Sequence, residues 1–200
     1  MTTLLKLSTA GAFAALLLAT PAFADFYVEW DHDADGALSM EEFREGFVAR
    51  VSLTDWDLDV DGSLSEDEFG GGIYSRYDVD ATDAIEEAER TRLDGDFIGE
   101  GVWSTAAVPD GEVAEEVDVT SLEPWDIDGD GVILRNEFLD GFREWGTFGQ
   151  FDVDVDGALT EAEFADGVFA RYDDDLDGLI EEPELTDIGD DMGDGGFWDV

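Results

Sequence analysis

The chain has 200 residues, with 54 Asp and Glu against 9 Lys and Arg and a formal net charge of −45. That sign excludes nucleic acid and anionic lipid as ordinary partners, since a polyanion is repelled by both. Cysteine is absent, which removes disulfides, thiol catalysis and zinc thiolate sites together.

In chain order, residues 1–24 read MTTLLKLSTAGAFAALLLATPAFA, with Lys6 ahead of an apolar run and Ala22-Phe23-Ala24 at the end. The pattern predicts a secretory signal peptide, too short and wrongly flanked to span a bilayer. The mature protein is then expected to begin at Asp25, to be periplasmic or secreted, and to have no membrane contact after cleavage.

Next comes a twelve-residue acidic loop at 31–42, placing Asp31, Asp33 and Asp35 at positions 1, 3 and 5, Gly36 at 6, Ala37 at 7, Ser39 at 9 and Glu42 at 12. A second, 57–68, repeats the scheme with Asp57, Asp59, Asp61, Gly62, Ser63, Ser65 and Glu68. Alternating carboxylates in a tight turn aim at one point, and glycine takes the backbone angle that a side chain disfavours. Position 7 offers its carbonyl, and the last glutamate reaches back from the following helix. Seven oxygen ligands suit a hard cation, and calcium better than the small octahedral magnesium ion. Without a cation the same groups repel, by about 4 kcal/mol for two carboxylates ~4 Å apart at an effective dielectric near 20.

A single helix from Glu66 to Tyr77 is expected to leave the second loop and enter a third, 78–89. There Asp78, Asp80 and Glu89 keep their places with Ala84 at position 7, but Thr82 stands at position 5 and Asp83 at the glycine position. This loop is left open between a working site and a vestigial structural one. Residues 104–119, punctuated by Pro109 and Gly111, read as a linker.

Three further loops follow. The fourth, 126–137, offers Asp126, Asp128, Asp130, Val132 and Glu137, with Leu134 giving no ligand at position 9, so water is expected there. The fifth, 152–163, offers Asp152, Asp154, Asp156, Ala158, Thr160 and Glu163. The sixth, 173–184, offers Asp173, Asp175, Asp177, Leu179, Glu181 and Glu184. Loop starts at 126, 152 and 173 each lie 95 residues after those at 31, 57 and 78, and Gly101-Val102-Trp103 matches Gly196-Phe197-Trp198 at the same offset. A three-loop unit has been duplicated: residues 25–103 and 120–200.

These loops resemble those of the EF-hand calcium-binding superfamily, and the loop at 57–68 matches its pattern at every ligand position. The resemblance implies an all-α protein of helix-loop-helix hands in two similar three-hand halves, with short β-bridges between paired loops. It implies calcium at five loops and leaves 78–89 in doubt. Leu38 with Leu64, and Ile133 with Leu159, are expected to form the bridges, and the third and sixth hands to pair across the halves. An aromatic residue precedes every loop (Trp30, Trp56, Tyr77, Trp125, Phe151, Tyr172), and Phe43, Phe69, Phe138, Phe164 and Leu185 follow position 12. These are expected to pack as the core. Gly46, Gly72, Gly141 and Gly167 stand four residues after a ligating glutamate, and such mid-helix glycines predict close helix contact.

Enzymatic chemistry finds little support. His32 is the lone histidine and sits at a solvent-facing loop position with no nucleophile beside it. The expectation is therefore a non-enzymatic calcium binder. Within the resemblance it acts as a buffer or calcium-stabilised structural protein, with a calcium-dependent adaptor for another exported protein as the alternative and an acidic hydrolase as a distant third. Met40 and Met192 are the only methionines after the signal, few for the Met-rich groove of a sensor.

Overall fold

The computed structural model describes residues 23–51, 53–98, 102–103, 125–193 and 196–198, with side chains from residue 27 onward. The expected signal peptide, apart from its last two residues, and the expected linker lie outside these.

The described chain is mostly helical, with eight α-helices arranged around the acidic loops. Helix α1 (Phe23–Trp30) leads into the first loop and α2 (Met40–Arg50) leaves it. Ser39 caps α2: its hydroxyl accepts the Glu42 N–H while Glu42 accepts the Ser39 N–H, so two otherwise orphaned donors are satisfied reciprocally. Ser65 with Glu68 starts α3 (Glu66–Tyr77), and Thr160 with Glu163 starts α7 (Glu161–Tyr172), by the same device. Loop position 9 thus sets the helix start, and position 12 belongs to its first turn. The second loop is entered by a 3-10 turn, Leu53–Asp55, and the fifth by the short helix α6 (Thr147–Phe151). Helix α5 (Arg135–Trp145) ends on Gly146 in the left-handed conformation, at φ 76°, where the missing side chain removes the steric cost. Helices α4 (Glu87–Ile98) and α8 (Glu184–Met192) close the two units.

Loop pairing differs from the sequence expectation. Strand β1 (Leu38–Ser39) pairs antiparallel with β4 (Leu179–Ile180), and β2 (Ala84–Ile85) with β3 (Ile133–Leu134). Leu64 bridges Leu159, with reciprocal N–H···O bonds of 2.9 and 2.8 Å. Leu38 therefore meets Ile180 rather than Leu64, and Ile133 meets Ile85 rather than Leu159. The first hand pairs with the sixth, the second with the fifth, and the third with the fourth. The third and sixth hands do take partners across the units, but not each other. The reason lies in chain length. Only 14 residues separate Glu42 from Asp57, and 9 separate Glu68 from Asp78. Two antiparallel helices and a turn need about 20, so successive loops sit at opposite ends of a shared segment and cannot lie side by side.

This pairing gives an approximate two-fold relation between the units, and the core follows it. Phe69 and Phe164, equivalent in the repeat, meet edge to face with centroids 5.8 Å apart. Trp103 and Trp198, also equivalent, meet at 6.0 Å. Every pre-loop aromatic and every residue following position 12 in that set is buried in one continuous cluster, as expected. The glycine expectation takes a more specific form. A Cβ at Gly46, Gly72, Gly141 or Gly167 would overlap the ring of Trp30, Trp56, Trp125 or Phe151 respectively. The close approach is that of an entering aromatic ring to the exiting helix of its own hand.

Candidate metal centres

Each loop folds around its own carboxylates. In the first, the Asp31 Oδ atoms accept the N–H groups of Asp35 and Gly36, both at 3.2 Å, and Asp33 also accepts the Asp35 N–H. Asp35 accepts the Ala37 N–H at 3.0 Å, which bends the chain so that the Ala37 carbonyl can turn inward. Glu42 closes the ring, accepting the N–H groups of His32 and Ser39 at 3.0 Å each. The same network recurs from Asp57 to Glu68, from Asp126 to Glu137, from Asp152 to Glu163 and from Asp173 to Glu184. The backbone N–H groups hold the acids, and the free lone pairs face a common point.

Six such groups, each with three ligand atoms within 4.8 Å of one another, occur among the described residues; five of them are Asp31 with Asp33 and Glu42, Asp57 with Asp59 and Asp61, Asp78 with Asp80 and Glu89, Asp126 with Asp128 and Glu137, and Asp152 with Asp154 and Glu163. At position 7, Ala37, Ala84, Val132, Ala158 and Leu179 could offer a cation only their backbone carbonyls, as could Ser63, whose hydroxyl donates to Asp61 at 2.8 Å. Ser65 and Thr160 at position 9 spend their hydroxyls on the neighbouring glutamate, at 2.7 and 2.8 Å.

The third loop keeps this frame despite its substitutions. Asp78 accepts the N–H groups of Thr82 and Asp83 at 2.9 and 3.0 Å, and Glu89 accepts those of Val79 and Glu86. Asp83 adopts φ 64° where the other loops have glycine. The Thr82 hydroxyl donates to the Ala84 carbonyl and to Glu86 at 3.2 and 3.1 Å, so a position 7 carbonyl is occupied from within.

The electrostatics within a loop are uneven. Hydrogen bonds from the Ser39 and Ser65 side chains, reinforced by their backbone N–H groups, lower Glu42 and Glu68, and the Thr160 backbone N–H lowers Glu163. At position 3, desolvation and then the neighbouring Asp61 and Glu68 charges raise Asp59, and Asp156 and Glu163 raise Asp154 in the same way. In the later loops Glu137, Asp152, Asp173 and Glu184 are buried. Buried, crowded carboxylates are costly unless a cation or a proton joins them. Arg90 lies 3.9 Å from Asp126, a distance too long to replace a ligated ion. His32 is exposed on the outside of the first loop, 3.9 Å from Glu45.

The family model described as EF hand matches residues 30–48, the first loop and most of the helix leaving it. Together with the acidic clusters at loop spacing, the match supports an EF-hand assignment and calcium binding in general. Comparison with curated proteins and with solved structures yields no match.

Proposed function

We propose that the protein binds calcium reversibly at the five loops of complete pattern, with the loop at 78–89 a weaker sixth, and that it works as an exported calcium buffer or calcium-stabilised structural protein. The observation carrying this reading is the convergence of three carboxylates within 4.8 Å in loop after loop, arranged by backbone hydrogen bonds rather than by cationic side chains. Export is part of the proposal and rests on the composition of residues 1–24. Outside the cytoplasm, hands with Kd of about 10⁻⁴–10⁻³ M would still fill.

A calcium-dependent adaptor is the second reading. It is favoured by Leu58, Val60, Val153 and Val155, aliphatic side chains left well exposed on the two central loops. Against it, the aromatic side chains that a sensor would uncover are packed in the core.

Calorimetric titration of chelator-stripped protein tests the reading. Five or six calcium ions per chain are expected, with loss of helical circular dichroism when chelator is added. Absence of binding heat, or an unchanged spectrum in chelator, would overturn it.

A further inference from the structure

The 95-residue repeat sets a rule for contacts between the units: each should recur with the roles of the units exchanged. The aromatic core obeys. Phe43 meets Phe169 at 5.5 Å and Tyr74 meets Phe138 at 5.5 Å; Phe47 meets Phe164 at 5.6 Å and Phe69 meets Phe142 at 5.7 Å.

The arginines break the rule. Arg44 on α2 grips Asp166 on α7, with Nε 2.8 Å from Oδ1 and Nη2 2.6 Å from both oxygens. At the exchanged positions stand Leu139 and Gly71, which form no ion pair. Arg143 on α5 bonds Asp67 on α3 and lies 3.9 Å from Glu66. The residue equivalent to Arg143 is Val48.

If two first units came together, Glu66 and Asp67 would face Val48 and lose their arginine. If two second units came together, Asp166 would face Leu139. Either like pairing leaves carboxylates uncompensated in a chain of net charge −45, whereas the unlike pairing compensates both. We propose that Arg44 and Arg143 are pairing-specificity residues, making each unit the preferred partner of the other and disfavouring a second copy of itself. The aromatic face is shared and nearly self-complementary; Arg44 and Arg143 choose between its possible partners, whereas Arg90, which also crosses the units to Asp126, would meet the equivalent Asp31 in a pair of first units. The protein is thus a fused pair of unlike units that closes within one chain. This inference concerns which unit meets which and holds whichever cation fills the loops.

A protease site placed within residues 104–119 allows the full chain to be cut after folding. The cut protein is unfolded in urea, diluted into calcium buffer, and weighed by native mass spectrometry. The ratio of unlike to like complexes should exceed its statistical value by about tenfold, as expected for two charge-assisted contacts acting together. Arg44→Met with Arg143→Met should bring the mixture close to statistical. Exchanging the charges, Arg44→Asp with Asp166→Arg in an otherwise native chain, should restore the preference for unlike pairs. A statistical mixture from the unsubstituted chain overturns the proposal, as does failure of its fragments to re-associate. A double Met variant that still pairs only unlike fragments, or a charge exchange that yields a statistical mixture, overturns it too.

Discussion

The indole of Trp30 occupies the space that a Cβ at Gly46 would need. The same arrangement of ring on glycine recurs at Trp125 over Gly141, one repeat later. In an exposed helix, glycine costs about 1 kcal/mol relative to alanine, so alanine would ordinarily stabilise.

At these two positions the sign reverses. Gly46→Ala and Gly141→Ala should each destabilise the calcium-loaded protein by about 1–3 kcal/mol, the usual cost of overpacking, and thermal unfolding measures it. A rise in melting temperature would show that the ring moves aside freely.

Trp198 and Trp103 hold equivalent places but differ in one bond. The Trp198 indole N–H donates to the Tyr172 hydroxyl at 3.0 Å, while that of Trp103 is buried without a hydrogen-bond partner among the described residues. Trp198→Phe should therefore cost about 1 kcal/mol more than Trp103→Phe. Equal losses in chemical denaturation would argue against the difference.

Asp96 and Asp191 accept the Tyr77 and Tyr172 hydroxyls at 2.8 and 2.6 Å. Burial raises both carboxyls above the ordinary aspartate value of 3.8, outweighing the hydrogen bonds and the Arg92 charge that pull them down. A raised folded-state value means that the native state holds these protons more tightly than the unfolded chain does. Their contribution to stability is greatest at pH below the unfolded value, and it is lost as pH rises through the folded one. Asp96→Asn with Asp191→Asn keeps an acceptor for each tyrosine and should raise the melting temperature at pH 7 in calcium. The gain should shrink as the pH falls toward about 4. A gain that stays constant across that range would assign the effect to something other than charge.

Val60 and Val155 sit at position 4 of the paired central loops with φ 61° and 60°, a region that branched side chains strongly disfavour. Both side chains are more than four-fifths exposed, so burial does not repay the strain. Val60→Gly and Val155→Gly should each stabilise by about 1 kcal/mol after the entropy of glycine is counted. Thermal melts in calcium check this, and a loss of stability would reveal packing by these valines.

Much of this arrangement was legible in the chain. The three-residue spacing from Ser39 to Glu42 and from Ser65 to Glu68 marks helix starts, and α3 runs from Glu66 to Tyr77 as its pattern predicts. The aromatics flanking each loop mark the core because they recur at fixed loop positions. Partner choice was hidden, since position 8 is aliphatic in every hand: Leu38, Leu64, Ile85, Ile133, Leu159 and Ile180. Any of these can bridge any other, so local pattern carries no preference. The short intervals after Glu42 and Glu68 did carry one, because they leave no room for neighbouring hands to fold back on each other. The unequal hydrogen bonding of Trp103 and Trp198 has no local signature, as both hold the same place in the repeat and an equivalent tyrosine, Tyr77 or Tyr172, stands in each unit.

Leu38 finds its bridging partner in Ile180, close to the far end of the chain. A ribosome releasing this sequence exposes the first hand long before its mate exists, and slow, long-range closure follows from such connectivity. The first hand therefore locks only once the segment running from β4 into α8, the last of the described helices, is there to meet it.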